Sequence, residues 1–290
     1  MLENFESYLL KEKRSSVHTV TAYLNDVSSF LAFTDTESER DFNELNYNLV
    51  RAWMVSLIDE GSSNRSVNRK LSALRTFFKW AKRNSLVEID PMLRIKGPKQ
   101  AKRLPEFVKA QELDPDKLDA LFSSDFSGQR DQLMFELLYQ TGMRLSELIG
   151  LQEEDFFDDS LKVLGKRNKE RIIPISSGLS DLVKRFLKSK SLAFPECTHL
   201  LCTDKGKKLY PKLVYRKINN YLSCVTNLKK KSPHVLRHTF ATHMLNNGAG
   251  LESLKEILGH ANLSATQVYT HHSFAEVNKI YKQAHPRGGA

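Results

Sequence analysis

Arg94-Ile95-Lys96-Gly97-Pro98-Lys99-Gln100-Ala101-Lys102-Arg103-Leu104-Pro105 decides how this chain is divided. Each proline fixes its own φ, removes a backbone donor and pushes the preceding residue toward extended conformations, so the two prolines and one glycine here argue against a helix. Five basic side chains in the same stretch make it a charged connector rather than core. It predicts a basic linker over 94–106, between an N-terminal domain at 1–93 and a larger domain at 107–290. A chain of 290 residues exceeds what one hydrophobic core needs, which agrees with two domains.

Upstream of the linker the apolar spacing is helical. Leu2 to Lys13 puts Phe5, Leu9 and Leu10 on one stripe. A second helix follows Ser15-Ser16 and carries Val20, Tyr23, Leu24, Val27, Phe30 and Leu31. A third spans Asn48 to Glu60 and is stopped by Gly61. The fourth, Ser63 to Asn84, aligns Val67, Leu71, Leu74, Phe78 and Ala81. It also holds Arg65, Arg69, Lys70, Arg75, Lys79, Lys82 and Arg83, with no acidic residue. A solvated basic face is the common outcome for such a helix. Without acidic partners at i+4 the face repels itself unless phosphates neutralise it, and we favour a DNA-facing helix. Arg65, Arg69, Lys70 and Arg75, with Lys99, Lys102 and Arg103 of the linker, are the candidate DNA contacts.

Downstream, helices are expected over Pro115–Phe122, Gln129–Thr141 and Arg144–Leu151, the last two separated by Gly142. Leu161–Leu164 and Arg171–Ile175 read as two strands around the turn Gly165-Lys166-Arg167-Asn168-Lys169. From Gly178 onward helices dominate again, including Val235–Asn246, Glu252–Leu258 and Ser264–His271. The fold class is mainly α, with one small sheet.

Composition narrows the partners. The net charge of +10, from 44 basic and 34 acidic side chains, suits a polyanion. The apolar fraction of 40% is that of a globular chain, and no apolar run approaches the roughly 18 residues that cross a bilayer. The start, Met1-Leu2-Glu3-Asn4-Phe5-Glu6, lacks a secretory core, so a cytoplasmic protein with no membrane partner is expected. Cys197-Thr198-His199 with Cys202 superficially resembles a metal cluster, but its spacing fits no common zinc pattern. Cys197, Cys202 and Cys224 are expected to be buried or partly buried thiols, and no metal site is expected.

Four separate segments carry phosphate-capable groups: Thr141-Gly142-Met143-Arg144-Leu145-Ser146-Glu147-Leu148, Gly165-Lys166, His234-Val235-Leu236-Arg237-His238, and Leu258-Gly259-His260 followed by Tyr269. In order, spacing and context, including Arg-His-Thr-Phe-Ala-Thr, the chain resembles the tyrosine recombinase (phage-integrase) family. The resemblance covers essentially the whole chain. It implies a helical, SAM-like core-binding N-terminal domain and an α+β catalytic domain with a small sheet or hairpin. It also implies an active site of Arg144, Lys166, His234, Arg237, His260 and the nucleophile Tyr269.

The chemistry fits those residue types. Attack by a tyrosine on a phosphodiester builds charge on a pentacoordinate phosphorane, and two guanidiniums, Arg144 and Arg237, can brace its non-bridging oxygens. Two permanent charges take the place that a metal holds in other nucleases, so no cofactor is expected. The resemblance implies Lys166 as the acid that protonates the leaving 5′-oxygen. His234, one turn before Arg237, is the candidate to accept the tyrosine proton, and His260 to hydrogen-bond a phosphate oxygen. A 3′-phosphotyrosyl bond conserves the energy of the broken linkage, so strands reseal without ATP. Each piece has a duller reading: Arg144 paired with Glu147, Lys166 as a turn lysine, Tyr269 as a core aromatic. Their joint occurrence outweighs these. His238, His243, His271 and His272 are taken as structural or surface residues.

Beyond Tyr269, the tail Ser273–Tyr281 places Phe274, Val277, Ile280 and Tyr281 on one apolar face. It is too short to stand alone, and packs either in cis or, as the resemblance suggests, into a neighbouring protomer. Ala284-His285-Pro286-Arg287 is similar to the bacterial Xer recombinases, which resolve chromosome dimers. The resemblance implies double-stranded DNA with a specific site as substrate, and a homo- or hetero-tetramer of protomers, with room for an activating protein. An integrase of a mobile element is the alternative. A type IB topoisomerase has no use for a docking tail, and a non-catalytic architectural protein has none for the tyrosine.

Overall fold

The computed structural model describes residues 1–36, 42, 44–100, 106–165, 169–259 and 271–288. They fall into two compact units, Met1–Arg103 and Leu104–Ala290.

The first unit is helical: α1 (Leu2–Ser7), prolonged by a π-helical turn over Tyr8–Glu12, then α2 (Val17–Phe33), α3 (Tyr47–Asp59) and α4 (Asn64–Arg83). Side-chain acceptors start the last three. Ser16 Oγ takes the Thr19 amide, Asn46 Oδ1 the Asn48 and Leu49 amides, and Ser63 Oγ the Ser66 amide. Gly61 stops α3 at φ +84°. The predicted stripes of α2 and α4 converge on an aromatic core, with Phe30 edge-on to Trp53 at 5.2 Å and Phe5 edge-on to Phe77 at 5.2 Å. One expectation fails: Leu10 is 41% exposed, while Phe5 and Leu9 are buried. The π turn adds a residue to its helical turn and rotates Leu10 off the stripe.

The first part of the linker belongs to this unit. Residues 95–100 form neither helix nor strand, as Gly97 and Pro98 favour, and lie along α4. Arg75 Nη2 donates to Ile95 O, Asn68 Nδ2 to Pro98 O and Asn64 Nδ2 to Lys99 O. Ile95 is buried beneath it.

The second unit comprises α5 (Pro115–Asp119), α6 (Phe126–Thr141), α7 (Leu145–Gly150), β1 (Phe156–Phe157), β2 (Ser160–Leu164), β3 (Glu170–Pro174), α8 (Ser177–Ala193), α9 (Pro211–Val225), α10 (Pro233–Asn246), α11 (Leu251–Leu258) and α12 (His271–Ala284). The antiparallel sheet runs β1-β2-β3, with Leu161 opposite Ile173 and Val163 opposite Arg171. β1 was not foreseen, because two residues are too few for any alternation to register. Nearly all of α6 is buried, and α8 and α10 pack against it.

α12 packs in cis. Val277, Tyr281 and Ala284 lie within this unit's own core. Just beyond them, Arg287 pairs with the buried Glu136, Asn247 Nδ2 donates to Ala284 O, and His285 stacks on Tyr281 at 5.2 Å. Among the described residues no helix is long and apolar enough to cross a membrane.

Candidate active site

The α6–α7 junction places the first arginine. α6 ends at Gly142, whose φ of +59° is left-handed, and a Cβ there would sit 2.5 Å from Phe240 Cδ1. Glycine is required on both counts. The chain then turns so that Arg144 stands at the N-terminus of α7. Glu147 Oε2 accepts the Arg144 amide at 2.7 Å, and Oε1 accepts Arg144 Nη1 at 2.7 Å. Arg144 Nη2 donates to Gly259 O at 3.1 Å. The duller pairing with Glu147 is therefore real, yet it leaves the side chain about a third exposed.

The second arginine comes from α10. Ser232 precedes its first turn and Pro233 supplies a φ already set for a helix. His234 is exposed and Arg237, one turn on, is half-buried. Arg237 Nη1 donates to Gly142 O at 2.5 Å and Nη2 to Leu258 O at 2.8 Å. Burial, followed by the charge of Arg144, draws the Arg237 guanidinium down to about 10, still cationic at neutral pH.

A third arginine, which the sequence reading assigned only to a strand, completes the cluster. Arg171 is buried on β3 on the same face as Ile173. Its Nη1 and Nη2 donate to Glu147 Oε1 and Oε2 at 2.9 and 2.8 Å, and its Nε to Ile257 O at 2.7 Å. Arg171, Arg237 and Arg144 thus take three consecutive carbonyls, Ile257, Leu258 and Gly259, where α11 ends. Those carbonyls have no acceptor role left within the helix, and the helix dipole makes that end negative. Among the described residues, Glu147 is the carboxylate that Arg144 and Arg171 share. Burial alone would raise it; hydrogen bonds and charge from Arg171, then hydrogen bonds from Arg144, outweigh that and bring it down to about 2. A charged residue on the apolar face of a strand was the available signal for Arg171, as Arg-x-x-Glu was for Glu147.

Lys166, His260 and Tyr269 lie outside the described residues, as does most of the helix expected at Ser264–His271. The described ends lead toward them: Gly165 N donates to Lys169 O at 2.8 Å across the hairpin, and Gly259, at φ +64°, closes α11 immediately before position 260. Among the other histidines, His238 is half-buried. His243 is buried, its Nε2 donating to Val108 O at 2.9 Å and its Nδ1 facing Tyr139 OH at 3.1 Å, a structural role.

The basic face of α4 is less bare than its sequence suggested. Buried Asp26 of α2 accepts both Arg69 nitrogens in a fork and lies 3.6 Å from Lys70 Nζ. Lys70 also sits over the Trp53 ring, and Arg75 holds the linker. Neutralisation across to α2 could not be seen from helical spacing. Arg65 and Lys99 are exposed, and Lys102 and Arg103 lie outside the described residues. Cys202 is buried and Cys197 partly so, but Cys224 is exposed on α9, contrary to expectation. No His, Cys, Asp and Glu cluster among the described residues is arranged to hold a metal.

Residues 111–276 match the phage integrase family and residues 2–85 the phage integrase N-terminal SAM-like domain. The chain is 38% identical to the tyrosine recombinase XerC of Bacillus licheniformis, over 98% of this chain and 95% of that protein. It is 35% identical to the XerC of Pseudomonas syringae pv. tomato, over 99% and 96%. Among solved structures, the fold is shared with the XerH site-specific recombinase bound to a palindromic difH substrate in a post-cleavage complex, at a TM-score of 0.74 and 21% identity over 96% of this chain and 83% of that one. With both its parts matched in order, and with curated relatives aligned almost end to end, the chain belongs to the phage integrase family, the tyrosine-type site-specific recombinases.

Proposed function

We propose that this chain cleaves and rejoins double-stranded DNA at a specific site through a 3′-phosphotyrosyl bond to Tyr269, and that its role is to resolve chromosome dimers at cell division. The observation that carries the chemistry is the convergence of Arg144 and Arg237 on one helix end, each half-buried and each already fixed by carbonyl acceptors. Two guanidiniums held this way need little reorganisation when a phosphorane forms between them, which is where electrostatic catalysis gains most. Lys166 protonates the 5′-oxygen, His234 takes the tyrosine proton and His260 binds a phosphate oxygen. The exposure of His234 on the first turn of α10 suits a group that must meet substrate. Exposed Arg65 and Lys99, with Lys102 and Arg103, hold the duplex through its phosphates.

The near full-length match to XerC proteins favours the chromosomal role over a mobile-element integrase. It also supports assembly of recombinase protomers on DNA, in the cytoplasm, with or without an activating protein. The test begins with fragments of the source genome that the full-length protein retains, rebuilt as nicked duplexes. A denaturation-resistant protein–DNA adduct is expected with the unsubstituted chain and none with Tyr269→Phe. An adduct in the Phe protein would remove Tyr269 from its role, and no adduct on any retained duplex would leave a DNA-binding protein.

A further inference from the structure

We propose that Arg171 is a positioning residue of the active site: it holds Glu147 and the end of α11 so that Arg144 is aimed at the scissile phosphate and does not face the negative charge of Glu147 alone. The inference rests on the recombinase reading and adds a residue to it. A side chain on the apolar face of β3 has a simpler alternative in any aliphatic residue, yet here a guanidinium is buried with its bonds to Glu147 and Ile257 directed at the site. Its fork onto both Glu147 oxygens sets the plane of that carboxylate. Glu147 Oε1 then accepts Arg144 Nη1 at 2.7 Å, so the plane is passed on to the arginine that faces outward. The Nε bond to Ile257 O, 2.7 Å, ties β3 to the chain segment that continues into His260. Gly259 lies against the same side chain, where a Cβ would stand 3.2 Å from Arg171 Cδ.

Charge gives the arrangement its purpose. With Arg171 present, the single negative charge of Glu147 is shared between two guanidiniums. Without it, Glu147 neutralises Arg144 alone, and the pull on a phosphorane weakens while the groups that grip the duplex elsewhere are untouched. Because β3 follows Lys166 closely in the chain, one strand links that segment, the arginine cluster and the end of α11.

The experiment uses the full chain with Arg171→Gln and Arg171→Lys, on the nicked duplex that the unsubstituted protein cleaves. Arg171→Gln is expected to slow single-turnover adduct formation by about tenfold or more, with duplex affinity changed by less than about twofold. Arg171→Lys, which returns the charge without the fork, is expected to recover part of that rate. In parallel, carbon-13 NMR follows the Glu147 carboxyl without any DNA. It is expected to titrate near about 2 in the unsubstituted chain and toward the ordinary range near 4.5 in Arg171→Gln. An Arg171→Gln rate within about twofold of the unsubstituted rate overturns the proposal. So does a Glu147 titration that does not move, or Arg171→Lys at the full rate where the Gln variant fails to fold. If the unsubstituted chain forms no adduct, the recombinase reading falls instead, and the Glu147 titration alone decides whether Arg171 controls that carboxylate.

Discussion

Arg144 and Arg237 donate to neighbouring carbonyls, Gly259 at 3.1 Å and Leu258 at 2.8 Å, although one stands at the start of α7 and the other on α10. The C-terminal end of α11 is their common anchor, so whatever moves that end moves both guanidiniums together.

Arg144→Lys and Arg237→Lys retain a cation but lose the second, forked donor. Each is expected to slow adduct formation by at least about a hundredfold while leaving retention of the duplex nearly intact. Single-turnover assays beside a binding titration check this; equal losses in both would refute it.

Gly142 combines a φ of +59° with a neighbour 2.5 Å from where its Cβ would lie, and its carbonyl accepts Arg237 Nη1. Gly142→Ala should destabilise the catalytic unit by about 2–4 kcal/mol through strain and overpacking, and lower activity beyond that through Arg237. Urea unfolding measures the first effect and cleavage at a temperature where the variant is folded measures the second.

Glu147 titrates near about 2 in the folded chain against an ordinary 4.5. A depressed carboxylate adds stability above its unfolded pKa, and that contribution is lost as pH falls from about 4.5 toward about 2. Glu147→Gln should flatten this acid limb. It should also cost about 3–5 kcal/mol at pH 7, because Arg171 remains buried without its counter-charge. Denaturant midpoints at several pH values test both parts.

His285, enclosed by Tyr139, Phe240 and Tyr281, is held down to about 3 by burial first and then by the charge of Arg287. His243 and Glu136 are the other titratable groups nearby. The neutral ring is favoured in the fold, so stability is full above about 6.5 and declines as pH falls from there toward about 3. At pH 5 the loss is about 2 kcal/mol from this group alone. His285→Asn should remove that part of the slope, and amide exchange in α12 is the local measurement.

On α4, exposed Arg65 and Lys79 differ from Arg69 and Lys70, which share Asp26. If the exposed pair binds phosphates, Arg65→Ala and Lys79→Ala should each reduce the salt slope of duplex binding by about 0.9. Asp26→Asn should instead destabilise the N-terminal unit by about 1–3 kcal/mol, since Arg69 and Lys70 lose their counter-charge and Arg69 loses one of its two fork oxygens. An unchanged salt slope in Arg65→Ala and Lys79→Ala, or an Asp26→Asn chain as stable as the unsubstituted one, would contradict the distinction.

Much of the architecture was legible in one dimension. Helical periodicity placed α2, α3 and α4 within a residue or two, because a three-residue spacing and a capping serine or asparagine are local properties. β2 and β3 were legible for the same reason, and the short β1 was not. The outward turn of Leu10 depended on one π turn, which no spacing rule anticipates.

By itself, the sequence determined the helical content and the helical N-terminal part, and it nominated the residue types proposed for the chemistry, since these follow from periodicity, turn formers and motif spacing. Only the tertiary structure decided how that chemistry is held. It paired Glu147 with Arg171 across from another element, gathered three guanidiniums on the last carbonyls of α11, neutralised Arg69 and Lys70 through Asp26, and seated α12 in cis. Each of these joins residues distant in the chain. Such pairings are chosen by packing and by the need to satisfy buried charge, and neither is written in local spacing.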